Sequence, residues 1–160
     1  MAKLIIHTDE APKPLAGYSQ AVKAGGLIFV SGQGPFHPET GEVVGATIQE
    51  QTGQCLRNIE AILHAAGSSL EKAVSATWIL GEESDFAGMN EEWGKWFPKD
   101  PPARQGAKLA IHPKGMKISI ALIAEAKQLE ADSRGQGTAT TFRRVLQEFH
   151  HGLWPSVGQL

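Results

Sequence analysis

Thr47-Ile-Gln-Glu-Gln-Thr-Gly-Gln-Cys-Leu-Arg-Asn-Ile-Glu-Ala-Ile-Leu-His-Ala-Ala-Gly67 is the stretch from which the rest of the chain can be placed. Thr47 and Glu50 stand three apart, the capping-box spacing in which a hydroxyl takes an orphan N–H while the carboxylate reaches back. Apolar side chains follow at Ile48, Cys55, Leu56, Ile59, Ile62, Leu63 and Ala66. They form one face of a helix of about five turns, and Gly67 ends it. Ala73 to Leu80 then reads as a strand. Ser84 or Asp85 opens a second helix with Phe86, Met89, Trp93 and Phe97 on one face, stopped by Pro98.

Toward the N-terminus, Leu4-Ile5-Ile6 reads as a short strand. Tyr18 to Ala24 and Leu27 to Ser31 read as two more, joined by Gly25-Gly26, a pair suited to the positive φ of a tight hairpin. Gly32 to Gly41 is dense in turn formers and reads as a loop, with a small strand at Glu42–Val44. Beyond the second helix, Ala103 to Ile111 and Met116 to Ala126 read as two last strands, joined by His112-Pro-Lys-Gly115. This order is that of an α+β domain: a mixed sheet with two long helices on one face. Ile118-Ser-Ile-Ala-Leu-Ile-Ala124 is weakly polar on both alternating faces, which calls for burial on both. With no helix left for the second face, another subunit is expected to cover it.

The 160 residues suit one domain, read as residues 1–127, with an extension at 128–160. In the extension Ser133-Arg-Gly-Gln-Gly-Thr138 reads as a linker. Phe142, Val145, Leu146, Phe149 and Leu153 repeat at helical spacing after it. Two readings stand for that segment: a short amphipathic helix packed on the domain or a neighbour, or an extension without function. Fifteen basic residues against seventeen acidic ones argue against a dedicated nucleic-acid binder, which shows a basic excess. A single cysteine, no secretory leader pattern and no long apolar run make the cytoplasm the expected location and no membrane partner the expected state.

The six histidines show no metal-ligand spacing. Cys55 falls on the apolar helical stripe and reads as a core thiol, and Gly32-Gln33-Gly34 opens no helix and so is no dinucleotide fingerprint. Glu82-Glu83 and Glu91-Glu92 read as solvated charge, and Trp78, Trp93 and Trp96 as core or interface filling. What remains is Pro101-Pro102-Ala103-Arg104, an arginine at the mouth of a strand behind two stiffening prolines. Its planar fork of donors suits bidentate capture of a carboxylate or phosphate, and a structural salt bridge is the competing reading.

Several segments taken in order resemble the YjgF/RidA family, also known as endoribonuclease L-PSP. They are Gly17-Tyr-Ser-Gln-Ala-Val22, Ile28-Phe-Val-Ser-Gly-Gln33, Pro38-Glu-Thr-Gly-Glu42, Gln51-Thr52, Asn58-Ile59, Ala65-Ala-Gly67, Asp85-Phe86 with Asn90, and Pro102-Ala-Arg104. The resemblance runs from about residue 3 to 126. It implies a chorismate-mutase-like fold, a homotrimer with ligand clefts between subunits, and hydrolysis of reactive enamines and imines such as 2-aminoacrylate to 2-keto acids and ammonia. It implies no metal or organic cofactor. In such a cleft Arg104 would hold the substrate carboxylate, Tyr18 would line the pocket, Ser31 and Gly32 would shape the opposite wall, and Asn90 would support the loops. The Gly106 backbone would meet the imine nitrogen.

The sequence departs from the family in the last strand. The water-ordering glutamate of active members falls at Ala121 by this reading, and the preceding acid is replaced by Ser119. Glu125, four residues on, is roughly 13 Å away along a strand and cannot substitute. After Arg104 stand Gln105 and Gly106, where the family prefers a small residue and then often cysteine; Gln105 could order a water from a different side. Loss of a general acid–base group costs ~10²–10⁴ in rate. Three functions follow from these features: a weakened imine/enamine deaminase, a non-catalytic binder of small carboxylate metabolites, and an endoribonuclease, which the charge balance disfavours.

Overall fold

The structure, a computed structural model, describes residues 2–15 and 17–127; the linker and helix read in 128–160 lie outside the described residues. Helix α1 (Ile48–Ala65) starts where its capping box dictates. Thr47 Oγ1 accepts from the Glu50 N–H at 3.2 Å, and Glu50 Oε2 accepts from the N–H groups of Ala46 and Thr47 at 2.8 and 3.0 Å. The Thr47 and Ala46 N–H groups, with the Thr47 side chain, hold the Glu50 carboxyl below its ordinary range. The apolar stripe of α1 is buried as its spacing requires, and burial pushes the Cys55 thiol up, as befits a core thiol.

Six strands make one mixed sheet: β1 (Leu4–Ile6), β2 (Ala21–Ala24), β3 (Leu27–Gln33), β4 (Ala73–Leu80), β5 (Ala103–Lys108) and β6 (Ile118–Glu125), in the order β1-β2-β3-β6-β4-β5. Only β4 and β5 are parallel, with helix α2 (Phe86–Trp96) between them in sequence. The last two strands, consecutive in sequence, are therefore not neighbours: β6 inserts between β3 and β4. Its Ile118, Ile120, Leu122 and Ala124 are buried in one core with α1. On the other face Ser119, Ala121 and Ile123 are half-buried, and Phe29, paired with Ile123 and Val22, is 43% exposed. Among the described residues no helix covers this second sheet face, in keeping with the shortage of helices in the sequence.

Several boundaries differ from the sequence reading, each for a local reason. The strand expected from Tyr18 begins only at Ala21, because the buried Gln20 spends its amide on a loop: Oε1 accepts from Thr8 N–H at 2.8 Å, and Nε2 donates to the carbonyls of Thr8, Ala11 and Pro12. Gly32 and Gln33, read as loop, extend β3. Glu42–Val44 makes only an isolated bridge, Phe36 to Val43. β5 stops at Lys108 and β6 begins at Ile118, with a short 3₁₀ turn at Pro113–Gly115 between them. Asp85 precedes α2 without capping it through its side chain and instead accepts from Lys117 Nζ at 3.4 Å. Phe86, expected on the buried face, is 41% exposed and packs on Trp78 with ring centroids 5.4 Å apart.

Thr47→Ala should lower the unfolding free energy by about 1 kcal/mol in urea denaturation at pH 7, through loss of the cap. The folded-state pKa of Glu50 is depressed, so its stabilisation is complete above the ordinary carboxylate range and is lost as pH falls through the folded value. The stability gap between wild type and Glu50→Gln should therefore shrink on acidification.

Candidate functional site

Between β3 and β6 the register slips by one residue: Val30 faces Leu122, but Gln33 faces Ile120. Ser31 and Gly32 therefore stand together opposite Ala121, in a bulge that twists the strand and re-aims its side chains. Ser31 Oγ donates to Ser19 O at 2.7 Å, and Ser31 N–H donates to Gln20 O at 3.0 Å, which ties the bulge to the Gly17–Gln20 segment that carries Tyr18. Tyr18, Ser31 and Gly32 line a cavity of about 1070 Å³. Its floor includes Ser119, and a Cβ built on Gly32 would stand 3.1 Å from Ser119 Oγ, so Gly32 keeps that hydroxyl open to the cavity. Ala121, read from sequence as the position of the lost acid, is not among the lining residues; of the two positions, Ser119 is the one at the cavity.

The walls of that cavity were not legible in the sequence. Leu15, Phe36, Ile111 and Met116 supply apolar surface. Lys114 straps the mouth: at φ 53°, its Nζ donates to Gly41 O at 2.8 Å and meets Glu42 Oε1 at 2.7 Å. From the core side, Asn58 Nδ2 donates to Gly34 O and Phe36 O at 3.1 and 2.9 Å, so α1 holds the same loop. The carboxylates of the cavity, Asp9 and Glu39, lie on its exposed rim.

Of the remaining predicted residues, Arg104, Gln105 and Gly106 lie on β5 and Asn90 lies on α2. Arg104 pairs with Ala76, whose side chain is buried under the helices, and so lies on the helical face of edge strand β5. Its guanidinium sits over the Trp93 ring, 5.2 Å from the centroid, with Nη1 4.0 Å from Met89 Sδ. Asn90 is half-buried on α2, one residue after Met89 in the chain. Gln105 points to the opposite face and donates to Thr77 Oγ1 at 3.2 Å, so within one chain it is not beside Arg104. At Gly106 any Cβ would collide with the Trp78 ring, which lies across the strand there. The salt-bridge reading of Arg104 fails among the described residues: no carboxylate lies within 4 Å of it. Glu92, read as solvated charge, accepts instead from Trp96 Nε1 at 2.9 Å and Lys95 Nζ at 3.0 Å. Burial pushes its carboxyl up, and these donors outweigh that and hold it below the ordinary range.

The two sets of candidate residues do not meet in one chain. Strands β6 and β4 separate β3 from β5, and three spacings of ~4.8 Å put the bulge and the Arg104 strand ~14 Å apart. All six residues of β5 are exposed. Fold and site together define an α+β sheet protein with a metabolite-sized cavity at one part of the sheet and, at its far edge, a guanidinium with no acid partner among the described residues.

Comparison with known proteins agrees. The family model Endoribonuclease L-PSP matches residues 8–126. A RutC family protein of Pyrococcus abyssi is 47% identical over 124 residues, covering 78% of this chain and 98% of that one. Reactive Intermediate Deaminase A, chloroplastic, of Arabidopsis thaliana is 40% identical over 122 residues, covering 76% of this chain and 65% of that one. The crystal structure of E. coli TdcF with bound serine superposes with a TM-score of 0.72 at 36% identity, covering 76% of this chain and 98% of that one. The chain belongs to the YjgF/RidA family. Among the described residues no helix is long and apolar enough to cross a membrane.

Gly106→Ala should destabilise the protein by ~1–3 kcal/mol through overpacking against Trp78. The cost should largely vanish in a Trp78→Val background, as a double-mutant denaturation cycle would read.

Proposed function

We propose that this protein hydrolyses reactive 2-imino and 2-enamino acids of the 2-aminoacrylate type to 2-keto acids and ammonia, in clefts where two copies of the chain meet. The observation that carries the reading is the Arg104 guanidinium: exposed on an edge strand and free of any acid partner among the described residues, it suits an incoming carboxylate. An edge strand with six exposed residues is a template for a neighbour, and the bare sheet face around Phe29 and Ile123 favours the same association. A homotrimer built this way would bring Arg104, Asn90, Gln105 and Gly106 of one copy against the Tyr18, Ser31 and Gly32 cavity of the next. The Arabidopsis relative is named a reactive intermediate deaminase and the E. coli relative holds serine, a small amino acid with a carboxylate; both support the substrate class.

The chemistry asks little of the protein. Protonation of the enamine carbon gives an iminium, water adds to its electrophilic carbon, and the carbinolamine collapses with loss of ammonia. Holding the carboxylate fixes the carbon in place, and positioning supplies much of the rate. The polar side chain that β6 offers the cavity is the Ser119 hydroxyl, which can orient a water but cannot take its proton as a carboxylate would. That feature favours the second reading, binding of a small carboxylate metabolite without turnover.

Generating 2-aminoacrylate in situ and measuring keto-acid release decides between the two. Release above the uncatalysed rate is expected, and Arg104→Ala should abolish both release and pyruvate binding while the protein stays folded. Pyruvate binding without release supports the binding reading. RNA cleavage that survives Arg104→Ala and stringent nuclease removal would point to an endoribonuclease instead. Sedimentation equilibrium should give three times the 17.2 kDa chain mass.

A further inference from the structure

We infer that Trp93 is a positioning residue for the carboxylate clamp: its indole ring, in contact with Phe97, orients the Arg104 guanidinium and leaves its in-plane donors available. The inference rests on the Arg104 reading above. Met89 and Trp93 stand four apart on α2 and so share one face of the helix. Both are buried, Met89 fully and Trp93 to within 5%, although the arginine they support is exposed. Phe97 packs on Trp93 with centroids 4.6 Å apart and planes 31° apart. The Trp93 ring thus contacts both a buried phenylalanine and the guanidinium, and links the core to the sheet edge.

The geometry distinguishes this support from the usual one. An exposed arginine is commonly held by a carboxylate, which consumes the fork of N–H donors and cancels the charge. A ring beneath the guanidinium plane attracts it through the quadrupole of the aromatic face and uses none of those donors. The side chain also surrenders rotamer freedom before a ligand arrives, which reduces the ordering cost at binding. No acid within 4 Å among the described residues competes with the ring for the guanidinium. Met89 Sδ, at 4.0 Å from Nη1, accepts weakly from that one group and leaves the other N–H donors of the fork available.

The test compares Trp93→Leu, Trp93→Phe and Arg104→Ala for pyruvate affinity, KM and kcat. Trp93→Leu should weaken pyruvate binding roughly three- to ten-fold. KM should rise in parallel, with kcat changed less than about two-fold. Trp93→Phe should recover most of the loss, and Trp93→Leu should add nothing in an Arg104→Ala background. Site-specific fluorinated tryptophans at position 93, which weaken the ring quadrupole at nearly constant shape, should lower affinity in proportion to fluorination. That series keeps the test decisive if Trp93→Leu does not fold. Unchanged pyruvate affinity across the fluorinated series, with Arg104→Ala inactive, would overturn the role of Trp93 alone. Full pyruvate binding by Arg104→Ala would instead overturn the clamp itself.

Discussion

The insertion of β6 between β3 and β4 is the constraint on which the rest of the structure depends. Ile118, Ile120, Leu122 and Ala124 reach the core beneath α1 only from that central position, and burying each large aliphatic side chain contributes ~1.5–3 kcal/mol. The same insertion separates β3 from β5, the two strands that carry candidate site residues. The β3 bulge and the Arg104 strand stand on either side of a β6–β4 pair whose open face holds Ser119, Ala121 and Ile123. Within one chain the two sets of candidate residues therefore stay apart.

Around that frame, buried amides do the shaping. Gln20 gathers three carbonyls and one N–H of the Thr8–Pro12 segment, and Asn58 takes two carbonyls of the Gly34–Phe36 loop. Each satisfies backbone groups that would otherwise be desolvated without partners, so two irregular segments are held firmly against the core. Lys114 closes the outside of the same cavity with a charge-assisted bond to Glu42. The cavity is thus walled by loops yet fixed from two elements, which suits a binding surface that must keep its shape.

The polar inventory of the two groups is unequal. The β5 side carries a full positive charge on an aromatic shelf, and the β3 side carries hydroxyls and backbone, with carboxylates only at its rim. Brought together as proposed above, the two would recognise an anion well and move a proton poorly, which would fit a substrate that already reacts with water and needs chiefly to be held.

The capping box, the stripe of α1, the α2 stop at Pro98 and the strand character of Ala73–Leu80 were all legible in the chain, because each rests on spacing within a few residues. The resemblance also identified the residues that the structure sorts into two groups. The resemblance places the family's lost acid at Ala121, whereas the residue of β6 that lines the cavity is Ser119, two positions earlier on the same face, and the sequence does not show which of the two a neighbouring bulge exposes. The direction of the Gln105 side chain is not legible in the chain; in the fold it faces away from Arg104 and donates to Thr77 Oγ1, as alternation along a strand requires. Trp93 reads as core or interface filling and lies in the core, and only the tertiary fold sets an arginine from a strand beyond the end of its helix upon its ring. Local chemistry thus determined the elements and the candidate residues. Which of those residues share a cavity was decided by strand order and a one-residue bulge, both set by packing between segments far apart in sequence.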